Sequence, residues 1–185
     1  GINAEYGDMP KVLVYTYEGC EPVEALGTVD VLRRAGAEVI VYGKTDLIKM
    51  GHGINVKVDT TVIPAMCDCI VLPGGMGWKN LQADAQAKDL TKQYIDAGKL
   101  VAAICAAPSV ALGFWGFLDG KKATCYPSME SIGLLKAAKF CEDRVVVDGQ
   151  FITSRGPGTA LEFGLEIANQ LKLDAGAIKK AMLVK

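Results

Sequence analysis

Cys105 stands in VAAICAAPSVALG (Val101–Gly113), where an apolar run gives way to an alanine-rich one. A cysteine in a tight turn between strand and helix has the layout of a nucleophile elbow, although the serine-hydrolase form G-x-S-x-G is absent. A helix start offers unpaired N–H groups and a positive dipole end, so the Cys105 thiol is expected to have a lowered pKa. On its own the pattern fits a small buried core residue equally well. The glycines of PGGMG (Pro73–Gly77) let backbone N–H groups approach a ligand and form an anion or oxyanion pocket, or they make only a tight turn. They do not match a Walker or dinucleotide fingerprint. Glu24 follows Glu21 by one helical turn. Beside a thiolate, Glu24 would keep its proton, donate a hydrogen bond to the sulfur and serve as general acid and base. The alternative is a solvated acid favoured by the helix dipole, and spacing does not choose. Cys67-Asp68-Cys69 looks like a metal pair, but a zinc site wants more ligands and His52 is the only histidine, so no metal is expected.

Alternating elements must position these residues. KVLVYTY (Lys11–Tyr17) reads as a buried strand. The helix after it has Pro22 in its first turn and ends at Gly36. AEVIVYG is a second strand, and Lys49–Thr61 reads as a hairpin-like excursion. CDCIVLPGGMG is a strand breaking into the glycine turn, followed by a helical region over about Asn80–Ala97. KLVAAI is the next strand, AAPSVALGFWG a helix, and KKATCY a strand with a helix after it. RVVVDGQFITS forms two strands around Asp148-Gly149, a strong hairpin signal. GTALEFGLEIANQL and Ala175–Met182 close the chain as helices. Strands that are apolar throughout, alternating with helices, predict an α/β fold: a mainly parallel sheet with helices on both faces. Ligand sites in such sheets lie beyond the carboxyl ends of the strands. The turns Gly19–Glu24, Pro73–Gly77 and Ile104–Ala107 fall there.

Composition narrows the classes. The chain has 185 residues, half of them hydrophobic and 22% charged, with net charge −1. That length fits one domain burying roughly 70% of its unfolded surface, without disulfides or metal. We expect a flexible leader over residues 1–9 and one domain over 10–185. Scattered Lys and Arg argue against nucleic acid, and no apolar run is long enough to span a bilayer. The six cysteines fall in strands and at element ends, as free thiols of a cytoplasmic protein would.

Five segments in order, EGCEPVEALGTVDVLRRAG (Glu18–Gly36), IVLPGGMG (Ile70–Gly77), AAICAAPSVALG (Ala102–Gly113), KATCYPSME (Lys122–Glu130) and FITSRGPGTALEFGLEI (Phe151–Ile167), resemble the DJ-one/ThiJ/PfpI superfamily, and within it the DJ-one branch. The resemblance runs from about Pro10 to Lys185. It implies a flavodoxin-like three-layer α/β sandwich, a homodimer and no cofactor. It makes Cys105 the reactive cysteine and Glu24 the acid hydrogen-bonded to it. It assigns Gly74, Gly75 and Ala106 to the amides of an oxyanion pocket and Arg155 to an anion-binding position beside the site.

Two departures bear on mechanism. Tyr126 stands where the DJ-one site usually has histidine; it donates hydrogen bonds but is a poor base at neutral pH. Ala106 follows the cysteine where the protease-like PfpI members have histidine, which argues against cysteine-protease chemistry. The resemblance puts His52 near an anion-contacting arginine of some relatives; the alternative is a surface residue in a glycine-rich turn. The resemblance implies cofactor-independent glyoxalase or deglycase chemistry on methylglyoxal-like 2-oxoaldehydes with Cys105, Glu24 and Tyr126 in the catalytic site, together with oxidative-stress protection. The alternative is a redox sensor or chaperone in which peroxide oxidises the same cysteine.

Overall fold

Short runs rich in valine and isoleucine supply the strands. The computed structural model describes residues 9–136 and 138–185; of the expected leader over residues 1–9, only Met9 lies among them. Its strands are β1 (Lys11–Tyr15), β2 (Glu38–Tyr42), β3 (Leu47–Lys49), β4 (Asn55–Lys57), β5 (Cys69–Leu72), β6 (Leu100–Ile104), β7 (Lys122–Ala123), β8 (Lys139–Phe140), β9 (Val145–Asp148) and β10 (Phe151–Ser154). Its α-helices are α1 (Pro22–Arg34), α2 (Trp78–Gln82), α3 (Ala85–Asp96), α4 (Glu130–Gly133), α5 (Ala160–Gln170) and α6 (Ala175–Ala181).

Six strands form one sheet in the order β2-β1-β5-β6-β10-β9. Neighbours run parallel except β10 and β9, which pair antiparallel with Phe151 opposite Asp148. Gly149, at φ 58°, supplies the left-handed turn between them. Every residue of β5 and β10, and Val12–Tyr15 and Val101–Ile104, is buried. Helices cover both faces, so these strands have no solvent side and no alternation. A right-handed crossover runs one way across the sheet from β1 to β2 and the other way from β5 to β6, which places α1 and α3 on opposite faces. α5 packs on α1, where Gly164 allows close approach: a Cβ there would lie 3.0 Å from that of Val31. The fold is the α/β sandwich expected from the sequence.

Three local expectations change. The excursion starts earlier than Lys49, because Ile48 in β3 pairs with Val56 in β4. The strand expected at KKATCY is only two residues long and pairs with β8 outside the main sheet; the next amide, Thr124 N–H, goes to the Thr153 hydroxyl at 3.0 Å. The helix after Cys105 opens as a π-helix over Pro108–Gly113. Its Ser109 hydroxyl donates to the Met129 carbonyl (2.7 Å) and accepts the Gly133 amide (2.9 Å), which ties it to α4.

Strand order reverses at β1, which has β2 on one side and β5 on the other. A crevice opens beyond the carboxyl ends of strands at such a point. The turns after β1, β5 and β6 meet there.

Candidate active site

Cys105 is the first residue beyond β6. Its amide donates to the Ser154 carbonyl at 3.0 Å, and its carbonyl accepts the Tyr126 amide at 2.7 Å. Anchored on both sides, it takes φ 67°, in the left-handed region that non-glycine residues rarely occupy. This is backbone strain at a strand-to-helix turn, held by the sheet around it. The residue is 8% exposed.

The glycine turn after β5 presses against Cys105. A Cβ on Gly74 would lie 2.8 Å from that of Cys105, so only glycine fits. Gly75 has φ 114°, and a Cβ there would lie 2.5 Å from the Glu21 amide. The Glu21 amide donates to the Gly74 carbonyl at 2.8 Å, locking the turn to the start of α1. The same Glu21 caps α1 by accepting the Glu24 amide at 2.8 Å.

Glu24 is fully buried. Its Oε1 accepts the Gly74 amide at 2.9 Å, across 50 residues of sequence. Its Oε2 has no hydrogen-bond partner among the described residues, and the Cys105 thiol lies beside the carboxyl. Burial pushes Glu24 up to about 7, against the pull of Cys105 and the Gly74 amide. Burial also pushes the Cys105 thiol up, and the neighbouring Glu24 carboxylate adds to this; the Ala106 and Gly75 amides pull it down. The expectation of a thiol lowered by a helix start is therefore corrected. Two amides do not outweigh burial beside an acid, so thiol and acid titrate as a pair that gives up one proton readily and the second reluctantly.

The expected oxyanion donors separate as well. The Gly75 and Ala106 amides serve the Cys105 sulfur. The Gly74 amide is spent on Glu24, so Gly74 acts by letting the turn come close and by orienting the acid.

A cleft of about 380 Å³ opens over the thiol, with Glu21, His52, Gly75, Ala106 and Tyr126 among its lining. Tyr126 is 46% exposed at its rim. Arg155 is not among the lining residues: its Nε donates to the Cys125 carbonyl at 2.9 Å, so it braces the Cys125–Tyr126 segment. Cys125 is buried, its thiol is pushed up to about 12 chiefly by burial, and it donates to the Tyr126 carbonyl at 3.3 Å. Sequence reasoning missed Tyr17, whose buried hydroxyl donates to the carbonyls of Pro73 and Gly74 (3.0 Å to Gly74) and props the glycine turn. No signal in the KVLVYTY run separates it from an ordinary strand aromatic.

Residues 10–170 match the DJ-1/PfpI family. The chain is 42% identical over 168 residues to Protein DJ-1 homolog B of Arabidopsis thaliana, covering 87% of this chain and 38% of that one. It also spans only 46% of Protein DJ-1 homolog A of the same plant, so it covers less than half the length of both. Against Protein dj-1beta of Drosophila melanogaster it is 40% identical over 181 residues, covering 93% and 96% of the two chains. The crystal structure of Drosophila DJ-1beta superposes with TM-score 0.91 at 38% identity, over 96% of this chain and 100% of that one. A structure of oxidized Toxoplasma gondii DJ-1 superposes with TM-score 0.85 at 36% identity, over 94% and 98%. More distant relatives carry activity names: a glutathione-independent glyoxalase of Caenorhabditis elegans (33% identical, 84% of each chain) and a deglycase of Pyrococcus abyssi (31% identical, 88% and 99%).

Proposed function

The chain belongs to the DJ-1/PfpI family, and from that premise we propose that it is a cofactor-independent glyoxalase or deglycase-type enzyme acting on methylglyoxal-like 2-oxoaldehydes through Cys105. One observation carries this reading. Glu24 is a buried acid with one oxygen fixed by the Gly74 amide and the other unpartnered, beside a thiol that opens on a cleft. Such an acid takes up and returns protons near neutral pH.

Cys105 passes its proton to Glu24 and the sulfur adds to the aldehyde carbon. The Gly75 and Ala106 amides hold the oxygen that becomes negative, until Glu24 returns the proton and completes a hemithioacetal. Glu24, ionised again, removes the hydrogen from that carbon as a proton and delivers it to the neighbouring carbon through an enediolate. The result is a lactoyl thioester on Cys105. Water cleaves the thioester to lactate and restores the thiol, so the sum is methylglyoxal plus water to lactate. Tyr126 donates a hydrogen bond from the rim, and Glu24 carries the proton transfers. Lactate release by the purified protein tests this. Cys105→Ser and Glu24→Ala should each lower kcat/KM by at least about a hundredfold, and Tyr126→Phe by less than about tenfold. No lactate above the Cys105→Ser background sinks the proposal.

A redox role uses the same atoms. The Gly75 and Ala106 amides and a protonated Glu24 are donors arranged to hold oxygens added to the sulfur. Peroxide would oxidise Cys105 in two steps to the sulfinate, each step reducing one peroxide to water. Intact mass after mild peroxide should show two oxygens, mapped to Cys105; oxidation spread over the six cysteines counts against this role.

A further inference from the structure

Two successive amides of the glycine turn serve the two members of the reactive pair. The Gly74 amide donates to Glu24 Oε1 at 2.9 Å, and the Gly75 amide serves the Cys105 sulfur. A peptide unit is planar and trans, so its N–H and its carbonyl point in opposite directions and turn together. The carbonyl opposite the Gly74 amide is that of Pro73, and the carbonyl opposite the Gly75 amide is that of Gly74. Whatever holds those two oxygens aims both amides.

One side chain reaches both. The Tyr17 hydroxyl donates to the Pro73 carbonyl at 2.5 Å and shares its proton with the Gly74 carbonyl at 3.0 Å. The Gly74 carbonyl also accepts the Glu21 amide at 2.8 Å, whereas among the described residues Tyr17 is the only donor to the Pro73 carbonyl. Tyr17 is 7% exposed, and burial pushes its phenol well above the ordinary range, so the hydroxyl stays a donor at working pH. It does not line the Cys105 cleft, so its influence on the site passes through the two peptides. A hydrogen bond accepted by a carbonyl polarises the peptide and strengthens the N–H at its far end. One route runs from the Tyr17 O–H through the Pro73–Gly74 peptide to the Glu24 carboxyl. The other runs through the Gly74–Gly75 peptide to the sulfur.

We propose that Tyr17 is a positioning residue of the Cys105–Glu24 pair, aiming and polarising the two amides that stabilise the negative charge the pair carries. The proposal rests on the glyoxalase reading for the reaction the pair performs, but its test does not require turnover. The ionisable groups facing Glu24 are Cys105, Tyr17 and Cys20 after β1, and Glu21 at the start of α1. Burial keeps Tyr17 and Cys20 protonated, so the first proton to leave near neutral pH belongs to the pair. Iodoacetamide alkylates Cys105 without adding charge, and its rate, followed by peptide mass, rises as that proton leaves, with a midpoint near pH 7. Tyr17→Phe keeps the ring and removes the donor, so the midpoint should move up by about 0.5–1 pH unit. A ring-fluorinated tyrosine at position 17, a more acidic phenol and stronger donor, should move it down. Tyr15→Phe removes a hydroxyl bonded instead to Asp84 and should leave the midpoint in place. A purely structural role of Tyr17 would lower Tm without moving the midpoint. A midpoint unmoved by Tyr17→Phe or by fluorination, or moved as far by Tyr15→Phe, overturns the proposal. If Tyr17→Phe does not fold, the fluorinated protein, which keeps the hydroxyl, decides alone. Absence of lactate from the parent protein would instead overturn the glyoxalase reading while the midpoints still decided the role of Tyr17.

Discussion

In the proposed mechanism a single carboxyl carries the proton transfers, and the same group sets part of the pH response of this protein. Glu24 titrates near 7 when folded, against an ordinary value of 4.5, chiefly because it is buried. The folded state therefore keeps a proton that the unfolded state has released between those values, and stability falls as pH rises through that window. The full shift corresponds to about 3 kcal/mol lost by pH 8. Glu24→Gln cannot ionise, so in denaturant titrations its stability relative to the parent should rise from pH 5 to pH 8; a pH-independent difference would refute the assignment. The same ionisation should appear in catalysis as a rise of kcat/KM through about pH 7, since attack requires the pair to have lost one proton.

At the scale of elements, the site depends on backbones approaching more closely than side chains allow. Gly75 and Gly133 make contrasting probes. Gly75→Ala puts a Cβ 2.5 Å from the Glu21 amide at φ 114° and moves an amide that serves the Cys105 sulfur. It should cost roughly 1–3 kcal/mol and also slow Cys105 alkylation several-fold. Gly133→Ala puts a Cβ 2.1 Å from the Ser109 carbonyl oxygen, forcing α4 away from the π-helix. That change should cost a similar roughly 1–3 kcal/mol in urea unfolding. Its effect on thiol reactivity should be smaller, because Cys105 is held from the other side by the Ser154 and Tyr126 bonds.

Across the whole molecule, a polar network built on the buried Tyr15, Tyr42 and Asp84, none of which lines the cleft, ties the strands to the opposite helix layer. The Tyr15 hydroxyl at the end of β1 donates to Asp84 Oδ2 at 2.6 Å, and Gln86 Nε2 donates to both Tyr15 and Tyr42. Asp84 also caps α3 through the Gln86 amide (3.0 Å) and pairs with Lys44 at 2.9 Å. Tyr15→Phe removes the donor from a carboxylate whose side chain is only 6% exposed. The expected loss is about 1–3 kcal/mol, seen as a Tm lowered by roughly 2–12 °C with Cys105 reactivity unchanged. No helix among the described residues is long and apolar enough to cross a membrane.

Local pattern determined much of this protein. Apolar strands, the Pro22 and Gly36 helix boundaries, the Asp148-Gly149 hairpin and the strand–Cys105–turn layout are all readable, because each depends on residues within a few positions of one another. The placing of Cys105, Glu24 and the glycine turn at one sheet edge followed from strand alternation, since a parallel sheet gathers its turns at the carboxyl ends. Only the tertiary structure decided which atom serves which partner. The Gly74 amide goes to Glu24, Arg155 turns to the Cys125 carbonyl, Tyr17 props the turn, and His52 reaches the cleft. The direction of the Cys105 shift belongs to the same class. Burial and the charge of an acid reached through the fold set it, and both are properties of the assembled crevice that no local stretch contains.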